Sequence, residues 1–193
     1  MAPLKRLRLP ALLLPMALLA ISMASPAARG GEAEAAEVTQ QQVEAAYLYK
    51  FGSYVTWPDT AFAGPGSPVV IGVAGADAVA VTLENLVAGH TIAGHPVVVR
   101  RIRAADKLAG VQMLFIGDAA SDEAGSLFEA SRGKPVLVVT EGDRGLDLGG
   151  AISFVVIDDR VRFDVSLAAV QRNGLKLSAL LLSVAHQVNG VSQ

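Results

Sequence analysis

The sequence contains no cysteine, only one tryptophan and only three histidines among its 193 residues. Without cysteine the chain can form neither a disulfide nor a thiol-based redox switch, and it lacks the cysteine to which a bacterial lipid anchor is attached. Stability must therefore come from a hydrophobic core, which a chain of this length can build as one domain.

The sequence also lacks a strong excess of charge of either sign. Its 16 basic and 18 acidic residues give a formal net charge of −2. Three of the basic residues, Lys5, Arg6 and Arg8, lie in the N-terminal segment described below, and their removal leaves 13 basic against 18 acidic residues, a net charge of −5. A mildly acidic chain is poorly suited to a phosphate backbone, so we expect no nucleic-acid partner.

Residues 1–24 have the three-part order of a cleavable secretory signal peptide. Three basic residues precede an apolar run from Leu9 to Met23, and small residues that suit cleavage follow around Ala24. Pro26-Ala27-Ala28 offers a second site, so cleavage as late as residue 28 is compatible with the sequence. About 15 apolar residues fall short of the roughly 20 that span a bilayer, which makes a permanent anchor the weaker alternative. We expect a periplasmic protein with a tether over 25–37.

From residue 38 onward, short apolar runs alternate with segments of helical spacing, the pattern of βαβ units and a mainly parallel sheet. The last two apolar runs are joined by Asp158-Asp159, which predicts a tight hairpin. The predicted fold is one α/β domain over 38–190. It has three layers, a mainly parallel (mixed) sheet of about six strands with helices on both faces, and a C-terminal β-hairpin plus helices. Strands are expected over 69–73, 96–100, 111–116, 135–140, 151–157 and 160–165, and helices over 38–54, after residue 77, and over 121–131, 166–172 and 178–188.

Four polar residues stand where helix caps are expected, because side-chain oxygens there can accept hydrogen bonds from free backbone N–H groups. They are Thr39, Asp77, Ser121 and Ser178.

The motifs of common enzymes and metal proteins are missing. Gly72 to Ala76 follows a strand but lacks the third glycine of a dinucleotide fingerprint, and Gly142 to Gly145 suits a loop. His90 and His95 have no nearby carboxylate or cysteine to complete a metal site, and His186 is expected on the last helix. No serine lies in a nucleophile elbow. We therefore predict no catalytic residue, cofactor or metal, and a protein that is not an enzyme.

Six of the ten aromatic residues lie between positions 47 and 62. Two interpretations are open: these side chains pack on the sheet, or some of them form a surface that binds another protein. Tyr47, Tyr49, Tyr54 and Trp57 cannot all point the same way, so part of the cluster is expected at the surface.

Several short motifs, in their order and spacing, resemble the YfiR-like family of periplasmic proteins. The resemblance covers nearly all of the expected mature chain. The segments that carry it are Ala45 to Phe51 with Trp57-Pro58, Val69 to Gly72, Met113 to Ile116, Pro135 to Thr140, Gly149 to Ile152, Arg160 to Phe163, and Asn173 to Ser178.

The resemblance implies a regulatory protein that binds the periplasmic part of an inner-membrane diguanylate cyclase and represses it, and that an outer-membrane lipoprotein can sequester. Two departures matter. The family commonly has Phe-Glu-Ile-Asn where this chain has Phe163 to Ser166, and Gln112 stands where some relatives have cysteine. The redox sensing of well-studied members is therefore not carried over.

We place the expected partner contact on Tyr49, Tyr54 and Trp57, with Phe163 and Asp164 as second choices and Phe163 better suited to the core. The rival prediction is a small-molecule binding protein whose cleft uses the glycine loops at the carboxyl ends of the parallel strands. A homodimer is also compatible with the sequence.

Overall fold

The computed structural model describes residues 38–103 and 108–190. The predicted signal peptide and tether lie in residues 1–37, outside the described part. None of the described helices combines the length and the hydropathy that crossing a lipid bilayer requires.

The first helix, α1 (Gln40–Tyr54), begins where the sequence predicts. The Thr39 hydroxyl accepts a hydrogen bond from the Gln42 backbone N–H, and the Gln42 side chain accepts one from the Thr39 N–H, which completes a capping box. The helix ends at Tyr54 because Val55 takes up an extended conformation. The cap at Thr39 is thereby confirmed.

The other elements follow the predicted alternation of strands and helices. In chain order they are β1 (Val55–Thr56), β2 (Val69–Ala74), α2 (Asp77–Val87), β3 (Thr91–Ile92), β4 (His95–Arg101), β5 (Met113–Ile116), α3 (Ala124–Ser131), β6 (Leu137–Glu141), β7 (Ile152–Ile157), β8 (Arg160–Ser166), α4 (Leu167–Arg172), β9 (Lys176–Leu177), α5 (Ala179–Ser183) and β10 (Gln187–Asn189). Short 3-10 helices cover Asp59–Ala61 and Asp118–Ala120.

Eight strands form one sheet in the order β10-β8-β7-β6-β5-β2-β4-β3, and β1 pairs with β9 separately. The neighbours from β4 through β2, β5 and β6 to β7 are all parallel, whereas β7 and β8 form an antiparallel hairpin. The six predicted strands are present, and the short strands β3 and β10 lie at the two edges. In the parallel part the chain moves from β2 outward to β4 and then back across β2 to β5. The strand order reverses between β2 and β5, and ligands of doubly wound sheets bind at such a point.

Alternate side chains of the central strands enter two hydrophobic clusters, one on each face of the sheet. Phe115 points into the first cluster with α1, α2, α4 and α5, and Leu114 into the second with α3. The predicted three-layer α/β domain is thus confirmed.

The hairpin turn is the one predicted. Asp158 and Asp159 both have positive φ, 48° and 57°, and they join β7 and β8 in register. Two successive residues in this conformation form a type I′ turn, whose twist matches that of the flanking strands.

Two of the predicted helix caps are wrong. A 3-10 helix over Asp118–Ala120 directly precedes the expected start of the third helix. The Ser121 N–H bonds to the Asp118 carbonyl at the end of this 3-10 helix, and α3 begins only at Ala124. Asp77 is the first residue of α2 rather than its cap, a position held by Ala76, whose side chain makes no hydrogen bond.

The predicted last helix is correct only in its first part. Ser178 caps α5 through the Leu181 N–H, as expected, but α5 ends at Ser183. Residues Gln187 to Asn189 instead form β10, parallel to β8. Pairing with a distant strand overrides the helical spacing of the apolar side chains here.

Candidate functional site

A cleft of about 470 Å³ lies at the carboxyl ends of β5 and β6. Two segments that follow these strands line the cleft. They are Gly117 and Asp118 after β5, and the loop from Gly142 to Gly145 after β6. This is the edge of the sheet at which the rival prediction placed a ligand, and the Gly142 loop contributes as expected. Leu148 and Phe128 supply its apolar wall.

Buried hydroxyl groups hold the Gly142 loop in place. The Ser153 hydroxyl donates to the Gly142 carbonyl at 2.6 Å and lies 2.9 Å from the Thr140 hydroxyl. A Cβ atom on Gly145 would collide with both of these side chains, so only glycine fits there. The wall of the cleft is therefore a packed part of the domain.

A second cavity of about 280 Å³ adjoins the cleft and shares Asp118, Glu141, Gly142 and Asp143 with it. Its other walls come from the first turns of α1 and from the β7–β8 hairpin. They are Gln40, Glu44, Phe154, Val155, Val156 and Val161.

Glu44 is the most unusual side chain of this second cavity. It is only 1% exposed. The Gln40 amide donates to its Oε1 at 2.7 Å, but Oε2 is buried and has no hydrogen-bond partner among the described residues. A buried carboxylate oxygen without a donor is costly, which makes this atom a point where a proton or a ligand would be stabilising.

Burial raises the pKa of Glu44 from 4.5 to about 7. The Gln40 amide opposes this effect, while the neighbouring carboxyl group of Glu141 and the charge of Asp118 add to it. Glu141 itself is held by the Asp118 backbone N–H, which donates to its Oε2 at 2.8 Å. Near neutral pH Glu44 therefore carries a proton for part of the time.

The three aromatic residues of the expected partner contact are half-buried and pack against the first hydrophobic cluster. The Tyr49 ring meets His90 edge-on at 5.7 Å, and the Trp57 Nε1 donates to the Gln112 carbonyl at 3.1 Å. Tyr49 and Tyr54 are five residues apart on α1, roughly 140° around its axis at 3.6 residues per turn. Their side chains thus leave the helix on different sides, and each offers only part of its surface to a partner.

Phe163 lies in the core, with 2% of its surface exposed. Its ring packs edge-on against Phe51 at 5.0 Å and Tyr47 at 5.5 Å. It is therefore not available to a partner, in line with its assignment to the core.

Asp164, by contrast, is partly accessible on β8, with 16% of its side chain exposed. Its Oδ1 lies 2.9 Å from Nδ1 of His186, just before β10. This contact joins β8 to the segment between α5 and β10. Leu180 within α5 and Val184 just after it are each 58% exposed.

The first glycine segment is closed to ligands, because a Cβ on Gly75 would collide with the backbone and side chain of Ala120. The segment Gly72 to Ala76 thus packs against the 3-10 helix over Asp118–Ala120 instead of forming a wall of the cleft. His90 and His95 bond through Nδ1 to the carbonyls of Ala88 and Ser67. Within residues 38–103 and 108–190, no group of three His, Cys, Asp or Glu side chains is placed to hold a metal ion.

Sequence reasoning did not single out Glu44. The signal that could have found it is its position: Glu44, Leu48 and Phe51 recur at intervals of four and three, so an acidic residue occupies the core face of α1. Its partners Glu141 and Asp118 lie about 100 and 75 residues away, and no local pattern connects them.

Comparison with curated proteins finds no match to the chain. A family model described as YfiR/HmsC-like matches residues 41–186. The match spans the described domain from the first turn of α1 to the residue before β10.

Proposed function

Since the chain belongs to the YfiR/HmsC-like family, we propose that it is a periplasmic protein that binds the periplasmic part of an inner-membrane diguanylate cyclase and represses it without catalysing a reaction. Family membership supports a regulator of cyclic di-GMP signalling in general. The observation that carries the proposal is the extent of the match, because residues 41–186 include both faces of the sheet and the C-terminal hairpin.

Repression of this kind needs a surface that prefers one conformation of the receptor. A bound protein shifts a conformational equilibrium only by the difference between its affinities for the two states. No covalent step or cofactor is required, so a chain of modest charge with a packed core can perform it.

The contact surface we propose contains the exposed parts of Tyr49, Tyr54 and Trp57, together with Asp164. Tyr54, the last residue of α1, is tied to the start of α5, because its backbone carbonyl accepts a hydrogen bond from the Ser178 N–H at 2.9 Å. The exposed Leu180 lies in α5, and the exposed Val184 follows α5. Two residues further along the chain, His186 contacts Asp164 of β8. Apolar side chains next to polar groups are the usual composition of a protein contact.

A pull-down from inner-membrane extract tests the contact. Tagged chain should recover a membrane-bound diguanylate cyclase, and Asp164→Lys should reduce the recovery at least fivefold by reversing the charge at the surface of β8. The matched control is Val98→Ala, because Val98 is 45% exposed on β4, near the opposite edge of the sheet. Folded variants with equal recovery would exclude Asp164, and a folded chain that recovers no cyclase would contradict the proposal.

A second function is supported by the cleft at the carboxyl ends of β5 and β6. Its volume suits a small molecule, and it opens at the carboxyl ends of parallel strands, one strand away from the point between β2 and β5 where the strand order reverses. We propose small-molecule binding as the alternative, or as an additional property of the regulator.

A further inference from the structure

We propose that the cavity beside Glu44 binds a small organic cation, whose ammonium or guanidinium group sits between the carboxyl groups of Glu44 and Glu141. The apolar part of the ligand lies against Phe154 and Val161. This site deepens the alternative function, since it defines the chemistry of the ligand, and it does not depend on the cyclase.

Charge is the first argument for a cation. Among the residues that line the two adjoining cavities, four are acidic, namely Glu44, Asp118, Glu141 and Asp143. Arg144 is the one basic residue in these linings, and it faces the cleft rather than the cavity of Glu44. A positive group in this cavity would be attracted by several carboxylates in a partly desolvated setting.

The unpartnered oxygen of Glu44 is the second and independent argument. Gln40 already occupies Oε1, whereas Oε2 is buried and accepts no hydrogen bond in the described structure. Ammonium and guanidinium groups carry only donors, and they form short, charge-assisted bonds to carboxylates. Such a group would supply the bond that Oε2 lacks.

A proton is the competitor of the proposed ligand. When Glu44 is protonated it can share that proton with Glu141, which is the arrangement favoured near and below pH 7. The ligand must displace this proton, so it binds best when Glu44 is ionised. The other charged groups that line this cavity, Asp118, Glu141 and Asp143, are all acidic and favour a bound cation as well.

The walls of the cavity define the rest of the ligand. Phe154, Val156 and Val161 provide an aromatic ring and two aliphatic groups next to the carboxyl pair. With about 280 Å³ of space and Glu44 only 1% exposed at its base, the cavity fits a free small molecule better than a side chain that is tethered to a bulky partner.

Three probes of the same size but different charge test the proposal: n-butylammonium, 1-butanol and butanoate. Each is titrated at pH 8 into protein recovered from cells that express the full chain, and binding is followed by amide chemical shifts. Butylammonium should bind at least tenfold more tightly than 1-butanol, and butanoate should not bind. Lowering the pH from 8 to 5 should weaken butylammonium binding by roughly tenfold or more, because Glu44 becomes protonated.

Two variants locate the site. Glu44→Gln should weaken butylammonium binding at least tenfold, and Glu141→Gln serves as a second test in case the first variant does not fold. The matched control is Glu84→Gln, which removes a carboxylate of α2 that is paired with Arg101 at 2.7 Å, outside the cavity. This control should bind the probe as the unaltered chain does.

Several results would overturn the proposal. The first is equal affinity for butylammonium and 1-butanol, and the second is unchanged butylammonium binding by both folded cavity variants. The third is a cavity that binds Mg²⁺ but not the amine, and the fourth is no binding of any probe at pH 8. The last result would mean that the carboxyl pair holds a proton only. A lysine side chain of a partner protein could occupy the cavity through the same ammonium group. If a lysine-containing peptide changed the amide chemical shifts of the cavity residues and butylammonium did not, the proposed ligand would not be a free small molecule. None of these outcomes bears on cyclase binding, so the two proposals can fail separately.

Discussion

Glu44 is an acid in a position that suits an apolar side chain. It is buried on the same face of α1 as Leu48 and Phe51, and Gln40 is the only described residue that donates to it. A carboxyl group in this setting is stable when it is neutral and costly when it is ionised. The charge state of one residue is therefore coupled to the stability of the domain.

Stability should fall as the pH rises through the range set by Glu44. The pKa of Glu44 is about 7 in the folded chain against 4.5 as the ordinary value, so the folded state binds this proton more tightly. The penalty is absent below pH 4.5, grows between pH 4.5 and 7, and is complete above pH 7. At ~1.4 kcal/mol for each tenfold change in proton affinity, it amounts to about 3 kcal/mol.

Urea unfolding of the unaltered chain and of Glu44→Gln at pH 4.5, 6 and 8 measures this effect. The variant should be the more stable of the two at pH 8, by about 2–3 kcal/mol, and the difference should shrink toward pH 4.5. A difference that does not change with pH would show that Glu44 titrates in the folded chain as it does in the unfolded chain.

Gln112 shows why the role of a single residue is hard to predict from sequence. It is 3% exposed, its amide donates to the Ala61 carbonyl at 2.6 Å, and its Oε1 accepts the Val70 N–H at 2.8 Å. The Trp57 indole bonds to its backbone carbonyl. The sequence showed only that a cysteine is absent at this position, because these partners lie 42–55 residues away.

The β7–β8 hairpin is the element in which local sequence and structure agree most closely. Asp158 and Asp159 adopt the left-handed conformation that a two-residue turn requires, and aspartate tolerates it less well than asparagine or glycine does. The turn is therefore formed at some cost in conformational energy.

The double change Asp158→Asn with Asp159→Gly should stabilise the domain by about 1 kcal/mol, since Asn-Gly is the preferred type I′ pair. Thermal unfolding of the two proteins measures the difference. Asp77→Gly is the control, because Asp77 begins α2 in a helical conformation and glycine there should destabilise the helix by roughly 0.5–1 kcal/mol. A double variant that is less stable than the unaltered chain would contradict the assignment of the turn.

Elements that depend on distant pairing were not predicted. β10 has one apolar residue, Val188, and forms because it pairs with β8 through Val165 and because the His186 N–H bonds to the Phe163 carbonyl at 2.8 Å. β1 and β9, of two residues each, pair across more than one hundred positions of the chain. Segments this short have no periodicity, so only the folded chain reveals them.

At the scale of the whole domain, the alternation of strands and helices was sufficient to predict the three layers and the six long strands. This alternation could not predict that β4 lies on one side of β2 and β5 on the other, because tertiary packing determines the order of the strands. The parallel pairing of β5 with β6 brings Asp118 and Glu141 to the same edge, and α1 adds Glu44 from the start of the domain. The cleft was expected at this edge, whereas its acidic extension required the structure.

The proposed function predicts a surface that acts on a receptor in a membrane. Asp164, the exposed Leu180, the partly exposed tyrosines of α1 and Trp57, which follows β1, belong to different parts of one packed domain. A change in one of them can therefore weaken binding without unfolding the others, which allows folded variants to be compared directly.

The most direct test of the central claim is the rate of cyclic di-GMP synthesis by inner membranes from cells that lack this protein, measured with and without added purified chain. If the chain represses the cyclase, the rate should fall to a limit as more chain is added. The Asp164→Lys variant should need a higher concentration for the same fall, and the Val98→Ala variant should act as the unaltered chain does. An unchanged rate in the presence of folded protein, over concentrations at which the chain binds the membranes, would contradict repression of a membrane-bound diguanylate cyclase.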